Sequence, residues 1–190
     1  MCEKIKKGID RDMREEYYSD CIKVLKEVGK VIIGKDECIR SVMAAILAEG
    51  HILIDDVPGV GKTSLAMSFA KAMSLESRRT QFTSDVMPAD ITGFNMYDRQ
   101  QQKFVYQPGP IMCNFFLADE INRTSPKTQS ALLEVMEEKS VTVDGVTRNV
   151  PEPFIVIATQ NPEGSIGTQL LPESQLDRFM ICVSMGYPSL

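Results

Sequence analysis

The chain has 190 residues, 43% of them hydrophobic and 25% charged, which suits one soluble α/β domain and is too short for two. Its 21 Lys and Arg against 26 Asp and Glu leave a net charge of −5, which argues against the basic face of a nucleic-acid binder. No apolar run reaches the roughly 20 residues of a bilayer span, and residues 1–8 lack the apolar stretch of a secretory leader.

Met13, Tyr17, Cys21, Leu25 and Val28 recur at three- and four-residue spacing and predict an amphipathic helix over 11–28, with Gly29 as its C-terminal cap. An extended piece, Val31-Ile32-Ile33-Gly34, is expected next. Ile39, Val42, Met43, Ile46 and Leu47 then mark a second helix ended by Gly50. A strand over 51–55 carries Ile52-Leu53-Ile54, followed by a glycine-rich turn and a helix from 62 to about 74. Residues 79–83 read as a weak strand and Phe115-Phe116-Leu117-Ala118 as a strong one. A helix from Pro126 to about 139 starts with Ser125 as cap and proline at its first position. Strands over 154–158 and 179–183 close the pattern. Apolar runs without alternation imply burial on both faces, as in a parallel sheet covered by helices, so the alternating units predict a doubly wound α/β fold. Residues 140–150 alternate around Asp144-Gly145, a hairpin signal pairing Val143 with Val146. Residues 84–110 lack helical periodicity, with Phe104-Val105-Tyr106 as a short strand inside them. Five scattered cysteines, Cys2, Cys21, Cys38, Cys113 and Cys182, show no C-x-x-C spacing; free thiols in a cytoplasmic protein are expected.

The chemistry concentrates in Asp56-Val57-Pro58-Gly59-Val60-Gly61-Lys62-Thr63-Ser64, between a strand and a helix. Glycines let successive backbone N–H groups turn toward phosphates, and the helix N-terminus adds its positive dipole end. Lys62 is placed to reach the β- and γ-phosphates and the Thr63 hydroxyl to ligate Mg²⁺. The P-loop pattern has glycine where this chain has Asp56, and a surface turn that happens to contain Gly-Lys-Thr is the competing reading. Asp119-Glu120, at the tip of a buried strand, supplies the second half: Asp119 for Mg²⁺, Glu120 to polarise the attacking water. Asn161, in Thr159-Gln160-Asn161-Pro162, is a candidate nucleotide sensor or else part of an Asn-Pro turn. Arg178 is either a structural ion pair or the guanidinium that a neighbouring subunit supplies to the transition state. His51, the one histidine, stands at a strand start without a partner cluster, so metal ligation is not expected there.

Taken in order, Ile33-Gly34, Pro58-Gly59-Val60-Gly61-Lys62-Thr63, Asp119-Glu120-Ile121-Asn122-Arg123, Ala158-Thr159-Gln160-Asn161-Pro162 and Leu176-Asp177-Arg178-Phe179 resemble the MoxR-type AAA+ ATPases. The likeness covers residues 31–190, after an N-terminal helical segment at 1–30. An Asp-Val-Pro-Gly start to the P-loop is common in that family, which accounts for Asp56. The resemblance implies a five-stranded parallel sheet of order 5-1-4-3-2, a helix 2 insert at 84–110 and a pre-sensor 1 β-hairpin at 140–150. It implies that residues 31–34, Ile33 and Gly34 among them, line the adenine pocket, that Asn161 is sensor 1, and that Arg178 is the arginine finger. Arg123 either faces the neighbour's nucleotide or forms a surface ion pair. The family's helical lid would begin where the chain stops, at 185–190, so the sequence reads as a truncated core. The implied function is Mg²⁺-dependent ATP hydrolysis by a homo-hexameric ring that remodels or activates a partner protein, often one with a von Willebrand factor A domain. Alternatives are a nucleotide-gated interaction module with little turnover, a DNA-acting helix 2 insert ATPase, or, more distantly, a small-molecule kinase.

Overall fold

The structure, a computed structural model, describes residues 2–56, 59–161 and 171–186, with side chains described from residue 15 onward. Helices α1 (Cys2–Val31) and α2 (Asp36–Leu47) precede β1 (Ile52–Asp55), α3 (Lys62–Ala72) and β2 (Ser77–Gln81). A short α4 (Pro88–Thr92) leads into the strands β3 (Gly93–Asp98) and β4 (Lys103–Pro108). Then come β5 (Phe115–Asp119), a 3₁₀ turn (Ile121–Arg123), α5 (Pro126–Glu138), β6 (Ser140–Val143), β7 (Val146–Asn149), β8 (Ile155–Gln160), α6 (Glu173–Leu176) and β9 (Ile181–Val183).

Five strands form one parallel sheet in the order β2-β5-β8-β1-β9. Numbered within the sheet, that is the expected 5-1-4-3-2. Successive residues of its central strands serve opposite faces. Ile52, Ile54, Phe115, Leu117, Ile155 and Ile157 pack under α1, α2 and α3, around Leu65, Phe69, Val42 and Ile46. Leu53, Phe116, Ala118, Val156 and Ala158 pack under α5, against Leu132, Val135 and Met136. Both faces are buried, which is why these strands are continuous apolar runs; each of the Val, Leu, Ile and Phe side chains contributes about 1.5–3 kcal/mol by leaving water. The carboxyl ends of β1, β5 and β8 lie side by side, with Asp55 level with Gln160 and Ala118 level with Ala158. Ligands of open α/β sheets bind at this edge.

The Ser125 side chain accepts the Thr128 N–H and caps α5, with Pro126 in its first turn. The 140–150 hairpin turns through Asp144 (φ 50°) and Gly145 (φ 76°), pairing Val143 with Val146 as expected.

Three local expectations fail. Residues 31–34 are not extended: α1 runs through Gly29 to Val31, and Ile32 N–H still bonds the Val28 carbonyl, because Val28 and Ile32 are both buried against α2 and α3. Gly50 does not itself make the left-handed turn after α2; Glu49 does (φ 54°), and the Gly50 N–H closes back on Ala45. Gly50 is needed for space, since a Cβ there would lie 2.5 Å from the Met180 sulfur. The 84–110 stretch holds more order than one short strand. Pro88 opens a five-residue helix, and β3 pairs antiparallel with β4 from Gly93↔Pro108 to Asp98↔Lys103. The two inserted hairpins touch: Asn95 donates to Asp144 at 2.7 Å, and Arg148 lies 4.0 Å over the Tyr106 ring.

Candidate active site

The loop after β1 reaches α3 through Gly59 (φ 88°) and Gly61 (φ 95°), left-handed conformations that a side chain would strain. Gly61 is the N-cap of α3, so the free N–H groups of that first turn open onto the sheet edge. Val57 and Pro58 lie outside the described residues. Val60 is half-buried against the core under α3. Ser64 is exposed on the first turn, its carbonyl accepting the Ser68 hydroxyl at 2.7 Å.

Lys62 is buried, and its ammonium donates to the Asp56 carbonyl (2.6 Å), the Gln160 carbonyl (3.1 Å) and the Asn161 Oδ1 (3.0 Å). Burial holds its pKa below the ordinary lysine value, partly offset by the charges of Asp119, Asp56 and Glu120. Asn161 then links that lysine to the carboxylates, its Nδ2 donating to Glu120 Oε1 at 2.9 Å. Glu120 sits just past β5 in a left-handed conformation (φ 57°, ψ 47°) that turns its side chain out of the strand line. Its N–H bonds the Thr159 hydroxyl at 2.9 Å, and its Oε2 accepts from Arg123 at 2.7 Å. Asp119 accepts from Thr159 at Oδ1 (2.5 Å) and from Arg79 at Oδ2 (2.6 and 3.1 Å), while the Thr63 hydroxyl stands 3.5 Å from Oδ2. Gly59, Gly61, Lys62, Thr63, Ser64, Asp119, Glu120 and Asn161 enclose one cleft of about 280 Å³.

The remaining predicted residues lie elsewhere. Ile33 is 81% exposed, and Gly34 borders a separate hollow of about 360 Å³ shared with Ser184 and Met185. A larger cavity of about 630 Å³ runs between α1 and α3; it meets the cleft only at Thr63 and Ser64. Arg178 stands beside α5, paired with Glu137 at 2.6 Å, and does not border the cleft of its own chain. His51 is structural: its Nδ1 accepts the Val156 N–H (3.0 Å), which leaves the Nε2 proton for the Met136 carbonyl (3.1 Å).

A family model described as "ATPase family associated with various cellular activities (AAA)" matches residues 51–181, which include the glycine loop, Asp119, Glu120, Asn161 and Arg178. The chain is 45% identical over 163 residues to Chaperone MoxR1 of Mycobacterium tuberculosis, covering 86% of this chain and 43% of that protein. The chain belongs to the MoxR family of AAA+ ATPases. It is also 54% identical over 167 residues to the protein YeaC of Bacillus subtilis, covering 88% of this chain and 52% of YeaC. The crystal structure of a candidate ATPase from Cytophaga hutchinsonii superposes with a TM-score of 0.84 at 42% identity, over 96% of this chain and 56% of that one. The chain thus spans about half the length of the relatives it matches. In this MoxR-family core, sequence reasoning missed three supports of the site. Thr159 binds both Asp119 and the Glu120 N–H; its signal was a hydroxyl at the tip of an apolar strand, one strand over from the acids. Asn122 is buried and brackets the Asn161 backbone, donating to its carbonyl at 3.1 Å. Arg79 grips Asp119 from the neighbouring strand.

Proposed function

We propose that this MoxR-family core binds ATP with Mg²⁺ and hydrolyses it to ADP and phosphate within a ring of the full-length protein. The single observation that carries the reading is Asn161, which touches the lysine of the phosphate loop on one side and the Glu120 carboxylate on the other. Lys62 exchanges its carbonyl partners for phosphate oxygens, and the α3 N-terminus adds backbone donors at the same end of the cleft. Asn161 orients the Glu120 carboxylate, which takes the proton of the attacking water as that water adds to the γ-phosphorus and ADP leaves.

The residues present fit a divalent cation that keeps several waters. Thr63 and Asp119 offer hard oxygens close together, and among the described residues no group of three His, Cys, Asp or Glu builds a dedicated cage. Such a cation would be held by Thr63, Asp119 and the nucleotide, neutralising phosphate charge. Arg178, apart from its own chain's cleft, is assigned to the nucleotide of the adjacent protomer in a homo-hexamer, releasing Glu137 to do so. Ile33 and Gly34 are assigned to the adenine, in a cytoplasmic chaperone whose cycle remodels a partner protein, one with a von Willebrand factor A domain being the first to try. The relative named as a chaperone supports that role.

The test is Glu120→Gln in the full-length protein, with ATP affinity and phosphate release measured together. Affinity should hold while release falls by about 100- to 10,000-fold, the range for removing a general base. Turnover at the unmutated rate would remove Glu120 as base and leave a nucleotide-gated interaction module as the better description.

A further inference from the structure

The Asp119 carboxylate is almost fully committed. Oδ1 is taken by the Thr159 hydroxyl at 2.5 Å. Oδ2, the oxygen that faces Thr63, accepts both Nη2 (2.6 Å) and Nε (3.1 Å) of Arg79. Arg79 comes from β2, where it pairs in register with Leu117, two residues before Asp119 on β5. The Asp119 side chain is 10% exposed but that of Arg79 is 48% exposed, and Nη2 already reaches the Gln81 Oε1 at 3.1 Å. The guanidinium therefore has somewhere to go, while the carboxylate does not.

A divalent cation lodged between Thr63 and Asp119 draws on the same Oδ2, directly or through a water. Guanidinium and dication repel at such a distance, and one oxygen cannot serve both at full strength. We propose that Arg79 is a positioning residue that exchanges with the cation: it holds the Asp119 carboxylate oriented and charge-compensated, then swings toward Gln81 and solvent when the cation takes Oδ2. The cation's affinity is thereby set below what the oxygens alone would give, which favours release after each turnover. This rests on the ATP and Mg²⁺ reading above.

The experiment uses Mn²⁺ as the probe, its binding followed by electron paramagnetic resonance in the presence of saturating ADP, with the ADP affinity measured separately in EDTA. Arg79→Met should bind Mn²⁺ about two- to fivefold more tightly than the unmutated chain, the scale of a partly exposed ion pair. Its ADP affinity in EDTA should stay within about twofold, because Arg79 competes with the cation rather than the nucleotide. Equal or weaker Mn²⁺ binding by Arg79→Met would overturn the exchange and make Arg79 a plain support of the site. If that variant does not fold, Arg79→Gln decides by the same criterion: tighter Mn²⁺ binding supports the exchange, and equal or weaker binding overturns it. An unmutated chain that binds neither ADP nor Mn²⁺ would overturn the nucleotide reading as well, whereas normal binding there with no gain in the variants overturns the Arg79 proposal alone.

Discussion

Replacing Asp56 by glycine would bring the loop closer to the general P-loop pattern, and the structure predicts that it would harm the protein. Asp56 is buried, and its Oδ2 accepts the N–H groups of Met185 and Gly186, each at 2.6 Å, and the Ser184 hydroxyl at 3.2 Å. One carboxylate thus ties the start of the glycine loop to the segment after β9, while the carbonyl of the same residue holds Lys62. Met185 is buried, so Asp56→Gly strands its N–H away from water. Two lost charge-assisted bonds at about 1.5–3 kcal/mol each, discounted because Gly186 is only half-buried, suggest a cost of about 3 kcal/mol. For a chain of this length that lowers the melting temperature by about 6–12 °C. Asp56→Asn keeps one acceptor oxygen and should lose about half as much. Thermal unfolding by circular dichroism measures both. A glycine variant that melts with the unmutated chain would refute the tether.

Two further outcomes follow from the packing. Burial pushes the His51 pKa below its usual 6.5, outweighing the Met136 carbonyl, because the ring is held neutral as acceptor for the Val156 N–H. Its folded pKa being depressed, the stability it contributes is complete above about 6.5 and is lost as pH falls from there toward the folded value. His51→Gln should flatten that part of the dependence, and identical melting-temperature losses in both proteins between about pH 7.5 and 5.5 would contradict it. Gly109 lies against the Ile91 carbonyl and the Gly93 N–H at the base of the first hairpin, so closely that a Cβ would collide with backbone on both. Gly109→Ala should cost about 2–4 kcal/mol, and an unchanged melt would mean that the hairpin base can shift aside.

What the sequence made legible follows from how each signal is encoded. The three central sheet strands, β1, β5 and β8, are buried on both faces, so runs such as Phe115–Asp119 stand out without knowledge of their neighbours, whereas the edge strand β2 carries exposed Arg78 and Arg79 and reads as weak. The α5 start was readable because a serine cap and a proline carry their own geometry. By contrast β3 leaves Phe94, Met96 and Tyr97 about half exposed, so its residues neither alternate nor run apolar, and α4 is too short to show a period. The grip of Arg79 on Asp119 depends on the register of two strands 40 residues apart, which no local pattern encodes. Arg123 shows the same limit. Spacing left it between a surface ion pair and a neighbour's nucleotide, and the structure pairs it with Glu120. Asp56 is the instructive case: the family resemblance makes an aspartate there ordinary, but its physical role lies in contacts to Ser184, Met185 and Gly186, about 130 residues away, which no local pattern encodes.

The central claim is that Lys62 belongs to a nucleotide site. Isothermal titration of ATP with Mg²⁺ into the chain and its Lys62→Met variant tests it directly, with melting temperatures to show that both are folded. Losing an ammonium that makes charge-assisted bonds to phosphate should weaken affinity by about 10- to 100-fold. A folded Lys62→Met protein that binds ATP as tightly as the unmutated chain would contradict the account.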